Sequence, residues 1–236
     1  MKCLKVNQYT QEPAHCSIAA VASIANFYNK DIDYDIAKQI AYSMTHTKKS
    51  EDFDGLTTGE IGMLFNMLGF RHVIIYSSDI DYLDYKLVNK SKKYIIEYLR
   101  KKSCLTKADD ISNSKATAQF LSSKYNNKIV IDYNFGDFIR TSIDNKQPIL
   151  ISFNWTMFFK FPNEDGDYLH HAVVCDGYNK TGARIVDSHH EYYKYKLKRY
   201  KKGKYTIGWE NLMSIIGFGD LVLPTDYVGM KDYELV

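Results

Sequence analysis

The sequence predicts an α+β domain, with helices packed on an antiparallel β-sheet. Apolar repeats of helical period dominate the chain before Lys128, and short β-rich runs dominate after it. Helices first and strands last is the segregation expected of that class, in contrast to alternating βαβ units. The 236 residues fit a single domain. With 13 Gly and 4 Pro, 45% hydrophobic and 25% charged residues, the chain is composed to bury a core, not to act as a linker, collagen or disordered segment.

Taken in order, Ser17–Tyr28 is apolar almost all round and rich in Ala, as a buried helix requires. Pro13 belongs to the turn before that helix, which leaves Cys16 at its amino-terminal end. Asp35–Met44 places Ile36, Ala37, Ile40 and Ala41 on one helical face. A third helix is capped by Thr57 or Thr58, has Glu60 in its first turn and stops before Gly69. Phe70–Ser77 is a strand. Asp79–Asp110 is charged and Tyr-rich, with a helix around Tyr94–Lys102, and Thr117–Tyr125 is helical again. Strands follow at Lys128–Asp132, Pro148–Phe153, His171–Gly177, Arg184–Asp187, Tyr192–Leu197, Lys204–Ile207 and Asp220–Leu223, with helices at Phe135–Asp144 and Trp209–Ile215.

A net charge of +3 is too small to indicate a nucleic-acid partner. No apolar run approaches the roughly 18 residues of a membrane span, and the amino terminus lacks the apolar core of a secretory leader. The four cysteines are widely spaced, with no paired motif for zinc or a disulfide framework. These features predict a cytoplasmic protein with free thiols, or one exported without a cleavable signal, for example as an effector.

A thiol is a nucleophile only as thiolate, and a helix amino terminus favours that form. Cys16 alone has this placement. His171, opening the strand His171-Ala172-Val173-Val174-Cys175, can act as its base and acid. Its neighbour His170 must face the other way, and the apolar run beginning after His171 selects the latter. Asp187 ends the next strand, and a hairpin through Asn179-Lys180-Thr181-Gly182 brings it beside His171, where a carboxylate fixes the imidazole. Gln11, five residues before Cys16, can supply an oxyanion donor, with Gln8 as the alternative.

Thr10-Gln11-Glu12-Pro13-Ala14-His15-Cys16, followed by an Ala-rich helix, resembles the nucleophile segment of papain-fold thiol enzymes, particularly the peptidase C39-like group and phytochelatin synthase. The block from His171 to Asn179 and Val186-Asp187-Ser188 resemble the His and Asp strands of those families. Gly55-Leu56-Thr57-Thr58, Gln147–Ile151 and Tyr205–Leu212 fit the same pattern. The resemblance implies one papain-like domain over 1–236, with an insertion at roughly 79–135 that it does not explain. It also implies Cys16 as nucleophile, His171 as base and acid, Asp187 as its orienter and Gln11 as oxyanion donor. The implied activity is hydrolysis of peptide or amide bonds through a thioester, without a cofactor, on a peptide or protein substrate. The alternatives are a phytochelatin synthase-like transpeptidase using glutathione or a similar thiol peptide, another acyltransferase, or a binding module that keeps the fold.

His189 and His190 are adjacent and point apart, so they are expected at the cleft rim and not as metal ligands. The acidic residues Asp79, Asp81, Asp84, Asp109 and Asp110 are read as caps and loops, and 163–167 as a loop at the cleft. The Lys/Tyr-rich stretch 192–204 alternates like a half-buried strand. It offers an acidic surface or partner a contact, and no specific nucleic-acid binding is expected.

Overall fold

In the computed structural model, which describes residues 2–77, 85–104, 108–154, 158, 170–189, 203–216 and 219–230, the Ala-rich stretch forms helix α1 (Cys16–Tyr28). Its residues from Ser17 to Asn26 are all buried, which an Ala-rich helix permits because small side chains let neighbours approach from every side. Helix α2 (Tyr34–Thr45) starts at the Asp33 cap, whose carboxylate accepts from the Ile36 N–H at 2.9 Å. Helix α3 (Thr58–Met67) starts on a reciprocal capping box between Thr57 and Glu60. Gly69 follows it at φ +100°, against the backbone of Gly229.

The strands are β1 (Lys2–Cys3), β2 (Phe70–Ser77), β3 (Lys128–Ile131), β4 (Ile149–Asn154), β5 (His170–Tyr178), β6 (Gly182–Val186), β7 (Lys204–Gly208) and β8 (Asp220–Tyr227). They form one sheet in the order β3-β2-β8-β4-β5-β6-β7. Strand β1 joins the edge of β5 beyond the point where β4 begins, pairing Cys3 with Gly177. The sheet is mostly antiparallel, as expected of the α+β class, and mixed only in that β3 runs parallel to β2. Helices α4 (Lys92–Lys102) and α5 (Ala108–Ser122) lie between those strands in the chain, as a parallel return requires.

The boundaries of α5 also differ from Thr117–Tyr125. The helix stops at Ser122 because Asn127 turns its amide back onto the Phe120 carbonyl at 3.0 Å while bonding Asn66 in α3. Its start absorbs Asp109 and Asp110, read from sequence as cap and loop residues. The strand expected at Tyr192–Leu197, the 163–167 loop, His190, and Asp79, Asp81 and Asp84 lie outside the described residues.

Strand alternation divides the core. Ala172, Val174, Val186 and Val222 face α1, α2 and α3. Val173, Cys175, Ile185 and Leu221 face α6 (Phe135–Asp144) and α7 (Trp209–Ile216) on the other side. Pairing of Asn154 with His170 places the end of β4 beside the start of β5, and antiparallel pairing sets Val186 at the end of β6 against Val174 in the middle of β5.

Candidate active site

Cys16 is the first residue of α1, and no acidic side chain occupies that helix's first turn to neutralise its positive end. The residue before it, His15, makes no side-chain cap. Its ring is instead buried between two tyrosine hydroxyls, Nδ1 to Tyr34 at 2.8 Å and Nε2 to Tyr42 at 3.0 Å, and it lies edge-on to Phe53. Burial holds His15 below the usual histidine range. Glu12, the nearby carboxylate, is engaged by Lys38 and Ser50. The residue before the thiol is thus fixed by packed aromatics.

The Cys16 side chain is half-buried, and the His171 imidazole and the backbone N–H groups of Ala172 and Ser17 act on its thiol. Burial alone would raise its pKa, but the imidazole and the two amides together lower it. His171 is 5% exposed and hydrogen-bonds Asp187 Oδ1 through Nε2 at 2.8 Å. That bond leaves Nδ1 as the ring nitrogen not engaged with Asp187. Burial disfavours the imidazolium, but the Asp187 charge and hydrogen bond, with the influence of Cys16, push its pKa up to about 10.

Asp187 is 1% exposed and fully supported. Oδ1 also accepts from the His189 N–H at 2.9 Å, and Oδ2 accepts from the Tyr205 hydroxyl at 2.8 Å. These partners hold its carboxyl below the usual range despite burial. Its backbone N–H donates to Gly203 at 2.7 Å, and its carbonyl accepts from Gln8 Nε2 at 2.5 Å. Gly203, at φ +74°, fits between that amide and that carbonyl, where a Cβ would collide with both.

Cys16 at the start of α1 is thus electrostatically coupled to the hydrogen-bonded pair of His171 in β5 and Asp187 after β6. Gln11 lies at the same loop, its side-chain oxygen accepting from the Ser188 hydroxyl at 2.6 Å. Among the described residues, no acceptor takes the Gln11 amide hydrogens. Gln8 is committed to the Asp187 backbone. His189 flanks His171 with ring centroids 6.4 Å apart. No group of three or more His, Cys, Asp or Glu among the described residues is arranged to hold a metal ion. Cys175 is sealed in the core, where burial pushes its thiol up to about 12.

Sequence reasoning missed the support around Asp187. Tyr205 alternates inward with Ile207 in β7, which marks it as buried but not as a donor. Gly203 and the tether from Gln8 leave no local signal, since both depend on the meeting of distant segments.

The model of the Peptidase_C39 like family matches residues 3–215. A solved structure of a candidate C39-like peptidase from Bacillus anthracis is similar at 11% identity and a TM-score of 0.47, covering 95% of this chain and 97% of that one. No curated protein matches the chain.

Proposed function

The chain belongs to the peptidase C39-like family, and we propose that it is a thiol hydrolase of peptide or amide bonds acting through Cys16, His171, Asp187 and Gln11. The observation that carries this reading is the half-buried thiol at the start of α1, its pKa lowered by the His171 imidazole, which is itself hydrogen-bonded to a buried, triply supported carboxylate. Such a chain stabilises thiolate and imidazolium together.

In the reaction, Cys16 Sγ attacks the carbonyl carbon, and the π electrons move onto the carbonyl oxygen. The Cys16 backbone N–H and Gln11 Nε2 stabilise that oxyanion. On collapse the C–N bond breaks, and the leaving amine takes the proton from His171 Nδ1, which leaves a thioester on Cys16. Water then attacks the thioester carbon as His171 accepts its proton. The carboxylic product departs, and sulfur and imidazole return to their charged pair. Asp187 keeps His171 oriented in both halves without taking a proton itself.

The test is cleavage of a mixed peptide library, followed by mass spectrometry. The wild-type protein should generate products, and Cys16→Ala should generate none. Equal cleavage by the two proteins contradicts the assignment.

A further inference from the structure

The segment carrying Gln11 is laced to the segment carrying Asp187. Gln8 donates to the Asp187 carbonyl, the Gln11 backbone N–H donates to the Ser188 carbonyl at 3.4 Å, and the Ser188 hydroxyl donates to Gln11 Oε1 at 2.6 Å. Ser188 is 6% exposed, so little water competes for its hydroxyl. A primary amide has one accepting edge and one donating edge. Fixing a donor on the oxygen leaves the Nε2 edge to face a reacting carbonyl. The flipped amide would present lone pairs to developing negative charge and oppose the reaction.

We propose that Ser188 is a positioning residue for acyl transfer, its hydroxyl locking the Gln11 amide so that Nε2 is the edge offered to the oxyanion. This inference rests on the role proposed above for Gln11. Ser188 acts through Gln11, not on the substrate or the thiol. Its carbonyl bond to the Gln11 backbone survives truncation of the side chain, so Ser188→Ala keeps the lacing and loses only the lock.

Two reactions of the full chain separate this role from a structural one. Acyl transfer from p-nitrophenyl acetate passes through an oxyanion. Alkylation of Cys16 by iodoacetamide forms an S–C bond at a saturated carbon, expels iodide and develops no oxyanion, so it reports only the thiol and imidazole. Gln11→Ala should slow acyl transfer by about 100-fold, and Ser188→Ala by roughly tenfold, as loss of one buried hydrogen bond allows. The double variant should be no slower than Gln11→Ala alone. Ser188→Thr, which keeps a hydroxyl, should recover most of the rate. Cys16 alkylation should be the same in all of these proteins.

A Ser188→Ala protein with wild-type acyl transfer overturns the inference and leaves the role of Gln11 standing. So does a double variant whose loss is the product of the single losses. Slowed alkylation in Ser188→Ala also overturns it, since the hydroxyl would then be supporting the Asp187 end of the site. Wild-type acyl transfer in Gln11→Ala removes the oxyanion role of Gln11, and the role of Ser188 with it.

Discussion

Asp187 accepts three hydrogen bonds on two buried oxygens, and each donor comes from a different part of the chain. Tyr205 supplies the donor to Oδ2, so Tyr205→Phe removes that bond and leaves the oxygen shielded from water. The expected cost is about 1–3 kcal/mol, the usual penalty for a buried acceptor stripped of its donor, measured by urea unfolding at neutral pH. The sign of its pH dependence follows from the lowered Asp187 pKa. A depressed carboxyl stabilises the fold above its unfolded value, and that contribution fades as pH falls through the folded value. The gap between wild type and Tyr205→Phe should therefore narrow in acid, and a gap that widens there contradicts the assignment. The places of Cys16, His171 and Asp187 in the fold were legible in sequence because each has a local mark: a helix start, the head of an apolar strand, the end of its hairpin partner. Tyr205, Gly203 and Ser188 matter through contacts between segments that no local pattern brings together.

Among the elements, α3 shows how much punctuation and composition disclose. Thr57, Glu60 and Gly69 mark its ends in the sequence, and the capping box and the positive φ at Gly69 lie at those positions. What they do not disclose is why Gly59 and Gly62 sit inside it. Both face α5, and a Cβ on Gly62 would lie 2.6 Å from the ring of Phe120, which is fully buried. Gly62→Ala should therefore destabilise the protein by about 1–3 kcal/mol, as overpacking does, although alanine favours a helix over glycine. Urea unfolding decides it, and a stabilised variant would contradict close packing of α3 on α5. The start of α5 was hidden because its polar first turns carry no apolar repeat. The parallel placement of β3 was hidden because strand patterns give face, not direction.

Over the whole molecule, the mixed sheet does the assembling. It sets the end of β6 against the middle of β5 and leaves one face for α1, whose first residue has its thiol pKa lowered by the imidazole. No helix among the described residues is long and apolar enough to cross a membrane. The Lys/Tyr-rich stretch is described only at its last two residues, where Lys204 is an exposed position of β7. Ionisation of a single sulfur reports whether all these parts have come together. The most direct measurement is the ultraviolet thiolate absorbance of the folded protein followed against pH, with Cys16→Ser as the blank and His171→Ala as the control. A thiolate belonging to Cys16 should be present well below the ordinary thiol pKa of about 8.5, vanish only in acid, and move above that value in His171→Ala as burial takes over. A Cys16 sulfur that ionises at the ordinary value, and does so whether or not His171 is present, would contradict the thiolate and imidazolium pair.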